Sequence, residues 1–510
     1  MRTVARSCSI LVGLGAVALG AVAVAAPGQP TAAAAAEAAS PPPAVVTRHQ
    51  GVFNAVSVQY VATAGETVVP APGGAPGAGL FTFSFVRAGA GDPSKRPVLF
   101  VFNGGPGSAS IWQQLGAFGP RRLVFKDAAE PRALPPYDLQ DNPDCPLDVA
   151  DIVFIDPAGV GFSRLLPGAK PEDFYGVDQD ARATIDFITD WLTRNGRWNS
   201  PKFMIGESYG TVRAAVVARQ AMGGPTAPSR RLVGLSFNGV VLLGQALDSA
   251  SDAERVYVDL LPSMAATAWY HGRIDRSRPL DQVVAEARAF AGDAYLKALW
   301  AGDRLSEADR QAVAARLAAL TGLPKGLILD HNLRISAAVF EQALLKDQRL
   351  MLGAYDARDT LPALPGQGDP VGDDPAMGEY SAAFVAAFSD YLTGFLGVRM
   401  DRPYVPIAFG EVNGRWDYGE GPGRQTHVNY ALDLAVAMRR NPQTKLFVGA
   451  GDYDLVTPMG AAEYVVAHAG IPRGQVVLHD YASGHMVYMG DANAHQLASD
   501  LRAFIASAAP

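Results

Sequence analysis

A serine enclosed by glycines stands directly after a short apolar run. In PKFMIGESYG (201–210), the apolar residues 203–205 lead into Gly-Glu-Ser-Tyr-Gly. Glycines permit a sharp turn without steric clash, so a strand, a tight turn and a following helix would project the Ser208 hydroxyl from a sheet. A serine held in this way can act as a nucleophile. The alternative interpretation is a surface loop rich in glycine and serine.

A nucleophilic serine requires a base that takes its proton and an acid that orients this base. When the nucleophile sits on such a turn, the chain order is serine, then aspartate or glutamate, then histidine. Asp452 and Asp454 follow the apolar run LFVGAG, and His485 lies in a loop after the last apolar run. A solvated turn or a surface loop would explain each residue by itself. Their order and their positions after predicted strands favour a catalytic triad.

The segment NGGPGSAS (103–110) also follows an apolar run. Glycines after a strand leave backbone N–H groups able to point into a site, where they stabilise the oxyanion formed when a hydroxyl attacks a carbonyl. The N–H of Tyr209, the residue after the serine, would be the second donor of such an oxyanion hole. A simple turn is the alternative interpretation of this segment.

Other classes of site are not indicated. The phosphate-binding pattern Gly-x-x-x-x-Gly-Lys-Ser/Thr does not occur, and GAGDYD lacks the third glycine of a dinucleotide fingerprint. No residues have the spacing of metal ligands, so neither a metal nor a cofactor is expected. A net charge of -7 without a Lys/Arg cluster argues against a nucleic-acid partner.

Short apolar runs alternate with helical patterns from about residue 50 onward. Continuous apolar strands separated by helices are typical of a parallel sheet covered on both faces, so we predict an α/β fold with a mostly parallel central sheet. In open sheets of this kind, ligands bind at the carboxyl ends of the strands. Strands are predicted within 82–87, 96–105, 151–161, 201–210, 235–244, 444–454 and 475–486, and helices within 181–196 and 211–222.

The pattern becomes mainly helical between about residues 247 and 430. We therefore predict a helical cap insertion (248–430) between a first part (47–247) and a second part (431–510) of the core. Helical periodicity is seen in 280–300, 306–323, 334–347 and 380–397.

The first 26 residues have the layout of a secretory signal peptide, with Arg2 and Arg6 before an uncharged apolar run that ends in small residues. An uncleaved membrane anchor is the alternative. Cleavage is expected after Ala25 or within 32–36, and residues 27–46 read as an Ala/Pro-rich tether. We expect an exported protein, periplasmic or extracellular, without stable membrane insertion after cleavage.

Four segments, in their order and spacing, resemble the serine carboxypeptidase family of the α/β-hydrolase fold: NGGPGSAS, GESYG, GDYDLVTP and GHM. The resemblance runs from about residue 50 to the C-terminus and is weakest in the helical insertion. It implies that Ser208 is the nucleophile, His485 the base and Asp454 the orienting acid, because the family's acid matches the second aspartate of Gly-Asp-x-Asp. It also implies that Gly105 and Tyr209 supply the oxyanion N–H groups.

The same resemblance implies that Asn103, Gly104 and Glu207 bind the terminal carboxylate of a peptide substrate. Asn103 and the Gly104 amide can donate directly, whereas Glu207 can donate only when it is protonated. Burial and a nearby negative charge would favour the protonated form by raising the pKa of Glu207. An exopeptidase of this type should therefore prefer acidic pH, although its histidine must be neutral to accept a proton.

Three positions depart from the family pattern. Ala117 stands where the family has a second carboxylate-binding glutamate, Ser108 replaces a loop cysteine, and Tyr488 replaces a proline. The missing glutamate leaves the triad intact but weakens the expected selectivity for a free C-terminus. The predicted function is a secreted serine-type carboxypeptidase that acts through an acyl-enzyme. The alternatives are an esterase or acyltransferase with the same triad, and a catalytically silent binding protein.

Overall fold

The computed structural model describes residues 40–125, 134–224, 232–248, 253–364, 368–419 and 429–509. The predicted signal peptide and residues 27–39 of the predicted tether lie outside the described residues. The last two tether residues, Val45 and Val46, are already part of the first strand.

The strands of the described residues are β1 (Val45–Phe53), β2 (Val56–Pro70), β3 (Pro76–Arg87), β4 (Val98–Phe102), β5 (Arg121–Leu123), β6 (Leu139–Asp141), β7 (Asp151–Ile155), β8 (Arg164–Leu165), β9 (Lys202–Glu207), β10 (Gly239–Leu243), β11 (Leu350–Leu352), β12 (Thr360–Pro362), β13 (Lys445–Gly451) and β14 (Val476–Tyr481). Ten of these described strands form one sheet in the order β1-β2-β3-β7-β4-β9-β10-β13-β14, with β8 paired to β3. Along this sheet order, every pairing from β7 to β14 is parallel. The pairings β1–β2, β2–β3 and β3–β7 are antiparallel. The carboxyl ends of six neighbouring strands therefore meet at one edge of the sheet.

The α-helices of the described residues are α1 (Ile111–Gln113), α2 (Val177–Arg194), α3 (Tyr209–Met222), α4 (Ala253–Tyr270), α5 (Leu280–Phe290), α6 (Leu296–Ala301), α7 (Glu307–Thr321), α8 (Lys325–Asp330), α9 (Ala337–Ala343), α10 (Pro375–Asp390), α11 (Ala431–Arg440), α12 (Met459–His468) and α13 (Asp491–Ala508). None of them combines the length and apolarity that crossing a membrane requires.

The parallel strands are covered by helices on both faces. Phe100 of β4 packs edge-on against Trp191 of α2, with ring centroids 5.7 Å apart. Phe203 of β9 points to the opposite face and packs against Phe504 of α13 at 6.1 Å. Burial of a large apolar side chain stabilises the fold by about 1.5–3 kcal/mol, which explains why the central residues of these two strands are apolar. The predicted α/β class with a largely parallel sheet is confirmed.

Helices α4 to α10 and the hairpin β11–β12 lie between β10 and β13 in the chain. The predicted helix over 280–300 is interrupted, because α5 passes into a π-helical turn (Ala291–Tyr295) before α6. Helix α4, which contains Pro262, was not predicted from periodicity. Proline inside a helix removes a backbone hydrogen bond, so its helical pattern is harder to recognise in sequence.

Candidate active site

The predicted site residues lie at the carboxyl ends of neighbouring parallel strands. Asn103 follows β4, Glu207 ends β9 and Ser208 comes directly after it. Asp454 and His485 follow β13 and β14. The order of these strands in the sheet, β4-β9-β10-β13-β14, brings residues that are far apart in the chain to one edge.

Ser208 occupies a strained turn between β9 and α3. Its backbone has φ 57° and ψ -127°, a conformation that residues other than glycine rarely adopt. The flanking residues pack too closely for a side chain, because a Cβ on Gly206 would lie 2.2 Å from the Gly210 carbonyl oxygen. The Ser208 N–H donates to the Leu243 carbonyl over 2.9 Å, which ties the turn to β10. The turn therefore has the geometry of a nucleophile elbow.

Asp454 is the aspartate whose carboxylate contacts the histidine. His485 Nδ1 lies 2.9 Å from Asp454 Oδ2, and both side chains are buried. The Asp454 carboxylate also accepts hydrogen bonds from the N–H groups of Val456 and Thr457 and, over 2.5 Å, from the Thr457 hydroxyl. This arrangement fixes Nδ1 as the donor, so Nε2 of a neutral imidazole is left as the atom that accepts a proton.

The protonation of His485 is set by opposing effects. Burial alone would lower the pKa of His485, but the Asp454 charge, its hydrogen bond, and the charges of Glu207 and Asp374 raise it above its ordinary value. The imidazolium form of His485 is thus stabilised, as the predicted role of this residue as a base requires.

Ser208 and His485 both adjoin the segment Leu243-Gly244. Leu243 accepts the hydrogen bond from Ser208 N, and a Cβ on Gly244 would lie 3.1 Å from His485 Nδ1. Gly244 has φ +52°, and its lack of a side chain leaves room for the imidazole. The structure thus brings the elbow, the imidazole and the Asp454 carboxylate to the same strand ends.

The loop after β4 packs against the elbow. A Cβ on Gly104 would lie 2.4 Å from Tyr209 N and 2.6 Å from the Glu207 carbonyl oxygen, so the two backbones are in direct contact. Tyr209 is the first residue of α3, and its N–H is therefore not used within the helix. Gly105, Ser208 and Tyr209 all line one cavity of about 700 Å³. The residues of the predicted oxyanion donors thus line the same space as the predicted nucleophile.

Helix α4 forms part of one wall of this cavity. Arg255 of α4 bridges two buried carboxylates, with Nη1 2.7 Å from Asp248 Oδ2 and Nε 3.0 Å from Asp259 Oδ2. The aromatic rings of Tyr418 and Tyr430 line the cavity as well. A substrate bound at Ser208 would therefore meet both a charged, paired cluster and apolar ring surface.

Asn103 and Glu207 form a buried pair beside the elbow. Asn103 Nδ2 donates to Glu207 Oε1 over 2.6 Å, and both side chains are less than 5% exposed. Burial raises the pKa of Glu207 to about 7, although the neighbouring His485, Tyr488 and Asn103 act in the opposite direction. Near neutral pH this carboxyl can therefore carry a proton that it can donate.

Two of the departures from the family pattern are neighbours in space. A Cβ on Gly116, next to Ala117, would lie 2.4 Å from Tyr488 Cε2, so the tyrosine ring covers this part of the chain. The Tyr488 hydroxyl lies beside Glu207 and counteracts the rise in its pKa. Both the Tyr488 hydroxyl and Glu207 Oε2 are buried, and the two groups interact with each other outside ideal hydrogen-bond geometry.

Sequence reasoning missed supporting residues around the site. Thr457 was visible only as part of GDYDLVTP, although a hydroxyl three residues after an aspartate is placed to bond it. Arg213 of α3, buried and paired with Asp180, donates from Nη1 to the Asn103 carbonyl over 2.6 Å. No local pattern points to this arginine, because its two partners are distant in the chain.

Comparison with known proteins finds similarity to one family. A family model described as serine carboxypeptidase matches residues 75–292. The match confirms the predicted resemblance to this family over less than half of the chain. The matched region contains the elbow, the loop after β4 and the Asn103–Glu207 pair. Asp454 and His485 lie beyond it.

Individual relatives carry the same family name. Serine carboxypeptidase-like 34 of Arabidopsis thaliana is 34% identical over 124 residues, which cover 23% of this chain and 22% of the relative. Serine carboxypeptidase 1 of Hordeum vulgare is 26% identical over 179 residues, 34% of each chain. The chain therefore matches between a fifth and about a third of the length of these serine carboxypeptidase relatives.

A solved structure extends the likeness to the whole fold. A prohormone-processing carboxypeptidase from Saccharomyces cerevisiae superposes with a TM-score of 0.53 at 14% identity, over 88% of this chain and 91% of that chain. At this identity the comparison speaks for the fold, and it agrees with the α/β-hydrolase architecture of the serine carboxypeptidases.

Proposed function

We propose that this protein is a serine-type carboxypeptidase that releases C-terminal residues from peptides through an acyl-enzyme. The observation that carries the proposal is the contact between His485 and Asp454 at the strand ends beside the strained Ser208 elbow. Three groups of these types at one site can perform nucleophilic acyl transfer, whereas a binding protein would have no need of them.

In the proposed mechanism the Ser208 oxygen attacks the scissile carbonyl carbon while His485 Nε2 takes the hydroxyl proton. Asp454 stabilises the imidazolium that results, and the N–H groups of Gly105 and Tyr209 bind the oxyanion. Collapse of the tetrahedral intermediate breaks the C–N bond, and His485 returns the proton to the leaving amine. A water molecule, deprotonated by His485, then hydrolyses the acyl-enzyme and regenerates the Ser208 hydroxyl.

Selectivity for the end of a peptide is proposed to come from Asn103, the Gly104 amide and protonated Glu207, which would bind the terminal carboxylate. Support comes from the position of the pair next to the nucleophile and from the pKa of about 7 that burial gives Glu207. A buried proton donor forms a strong, charge-assisted hydrogen bond to a carboxylate, whereas an ester group is uncharged and would gain less from it. We further propose export to the periplasm or the exterior, in keeping with the predicted signal peptide.

Ala117 favours a second candidate function, an esterase or acyltransferase with the same triad, because one expected carboxylate-binding group is missing. Hydrolysis of a blocked dipeptide should be compared with hydrolysis of its C-terminal amide across acidic and neutral pH. The carboxypeptidase should cleave the free acid much faster. Equal rates on acid and amide would favour the second candidate. Ser208→Ala should lose both fluorophosphonate labelling and turnover, and activity retained by this variant would refute the acyl-enzyme mechanism.

A further inference from the structure

The loop that joins β11 to β12, residues 353–359, is bonded to both segments that carry the acid and the base. This loop belongs to the helical insertion, whereas Asp454 and His485 belong to the second part of the core. Two backbone hydrogen bonds join this loop to the residues on either side of Asp454. Ala357 N donates to the Tyr453 carbonyl (3.0 Å), and Leu455 N donates to the Ala354 carbonyl (3.0 Å). The acid is therefore held between two bonds to one loop.

The same loop holds the histidine. His485 N donates to the Tyr355 carbonyl over 2.6 Å. The Tyr355 ring stands edge-on to the imidazole, with centroids 5.2 Å apart and planes at 84°. The approach is close, since a Cβ on Gly484 would lie 2.3 Å from the Tyr355 carbonyl oxygen. Tyr355 thus fixes both the backbone of His485 and the plane of its ring.

Asp374 ties this loop to helix α10. Its Oδ1 accepts from the N–H groups of Ala376 and Met377 at 3.0 Å each, which caps the helix. Its Oδ2 accepts from Ala354 N at 2.6 Å and from Tyr355 N at 3.4 Å. The side chain is only 6% exposed, so water is poorly placed to replace these bonds.

Only a carboxylate fits this position well. It offers two acceptor oxygens and no donor, and each oxygen faces two backbone N–H groups. An asparagine would keep one acceptor and turn an NH₂ group toward donors. A helix cap by itself would use one oxygen, so the second oxygen is left to hold the loop.

We propose that Asp374 is a positioning residue of the active site, which orients His485 toward Asp454 by fixing Tyr355. Its effect on the reaction rests on the proposed function. Its effect on the geometry of the acid–base pair does not, and can be measured in an inactive protein.

The charge of Asp374 adds an electrostatic signature. The carboxylates that face His485 and raise its pKa are Asp454 from the loop after β13, Glu207 from β9 and Asp374 from the start of α10. Removal of the Asp374 charge should therefore shift the ionisation of His485 to lower pH. A residue that supports only folding would leave that ionisation where it is.

The test uses the full chain with Asp374→Ala, Asp374→Asn and, as a control, Ser306→Ala. Ser306 caps α7 of the same insertion through a bond from Asp309 N (3.1 Å) and is exposed, so its removal tests the cost of losing a cap alone.

We expect Asp374→Ala to lower kcat by roughly 10-fold or more with KM little changed, as for loss of a transition-state interaction. Both Asp374 variants should also move the acidic limb of kcat/KM to lower pH. Ser306→Ala should change neither.

The low-field proton signal of the His485 Nδ1–H, measured by NMR in the Ser208→Ala background, reads the acid–base contact without any activity. Loss or broadening of this signal in Asp374→Ala, or in Asp374→Asn should the alanine variant not fold, supports the proposal. A wild-type signal and a wild-type kcat in a folded Asp374 variant overturn it. If wild-type protein lacks peptidase activity while the signal still depends on Asp374, the proposed function fails and the positioning role stands.

Discussion

The Asn103 side chain donates to Glu207 Oε1 over 2.6 Å, which joins two residues that are 104 positions apart in the chain. Both are buried, and the bond holds the Glu207 carboxyl at the end of β9, one residue before Ser208, the proposed nucleophile. Protonation of this carboxyl is required before it can donate to a substrate carboxylate, while His485 must be unprotonated to act as a base. The activity should therefore depend on two ionisations with opposite requirements.

For a free-acid peptide, kcat/KM is expected to have a bell-shaped pH profile. It should rise with pH as His485, whose pKa is raised, loses its proton, and fall as Glu207, with a pKa of about 7, becomes a carboxylate. The maximum would lie nearer to neutral pH than the acidic preference expected from the sequence. An ester without a free carboxylate should show only the rising limb.

Glu207→Gln separates the two ionisations. The glutamine amide can donate at every pH, so the falling limb for the free acid should disappear. The measurement is kcat/KM against pH for the acid and the ester. A falling limb that persists in this variant would mean that Glu207 does not control binding of the carboxylate.

Tyr488→Phe should weaken selectivity for a free C-terminus. The Tyr488 hydroxyl is a neutral donor beside Glu207, positioned over Gly116 where the family glutamate is missing at Ala117. A hydrogen bond to a charged group contributes about 1.5–3 kcal/mol, so kcat/KM for the acid should fall roughly 10- to 100-fold while the ester is unaffected. The control is Tyr295→Phe, which removes another buried hydroxyl, that of a tyrosine in the predicted helical insertion. An equal loss on acid and ester would point to a general effect on the site.

Thr457→Val should disturb the acid–base pair without a change in volume. The hydroxyl lies 2.5 Å from Asp454 Oδ2 and 3.0 Å from His485 Nδ1, so its loss leaves the carboxylate one donor short. We expect kcat to fall roughly 10-fold, equivalent to about 1.4 kcal/mol in the transition state. Thr457→Ser keeps the hydroxyl and should stay near the wild type. If the valine and serine variants have the same kcat, the hydroxyl is not needed.

Gly244→Ala should inactivate the protein through a contact with the imidazole. Its Cβ would lie 3.1 Å from His485 Nδ1, and its φ of +52° adds strain of about 1–2 kcal/mol. Gly234→Ala is a matched control, since φ there is +72° and no described atom lies within 4 Å of the new Cβ. Both variants should lose similar stability in urea unfolding, and only Gly244→Ala should lose kcat. Equal activity in the two would show that the imidazole tolerates the methyl group.

Much of this architecture is readable in the sequence because strands that are buried on both faces have a continuous apolar run, as β9 and β13 have after their first residue. Glycines and charged residues at their ends then mark the functional edge of the sheet. The first described strands, β1 and β2, were not predicted, since they alternate in burial and their pattern is weaker than that of a continuous apolar run.

The supporting residues were beyond reach of the sequence for a different reason. Asp374 and Tyr488 act on His485 and Glu207 through contacts that depend on how distant loops pack. An aspartate before a proline reads as a helix cap, and nothing in the sequence around Asp374 reveals a second use for its other oxygen. Such roles follow from tertiary structure and become visible only when it is known.

The bonds between the 353–359 loop and the core bear on any attempt to engineer a smaller hydrolase from this chain. Replacing residues 248–430 by a brief linker would preserve every strand of the parallel sheet and the nucleophile. It would also strip Leu455 N and His485 N of the carbonyls that accept from them. A truncated protein of this design would keep Ser208 but lose the contacts that hold its proposed base.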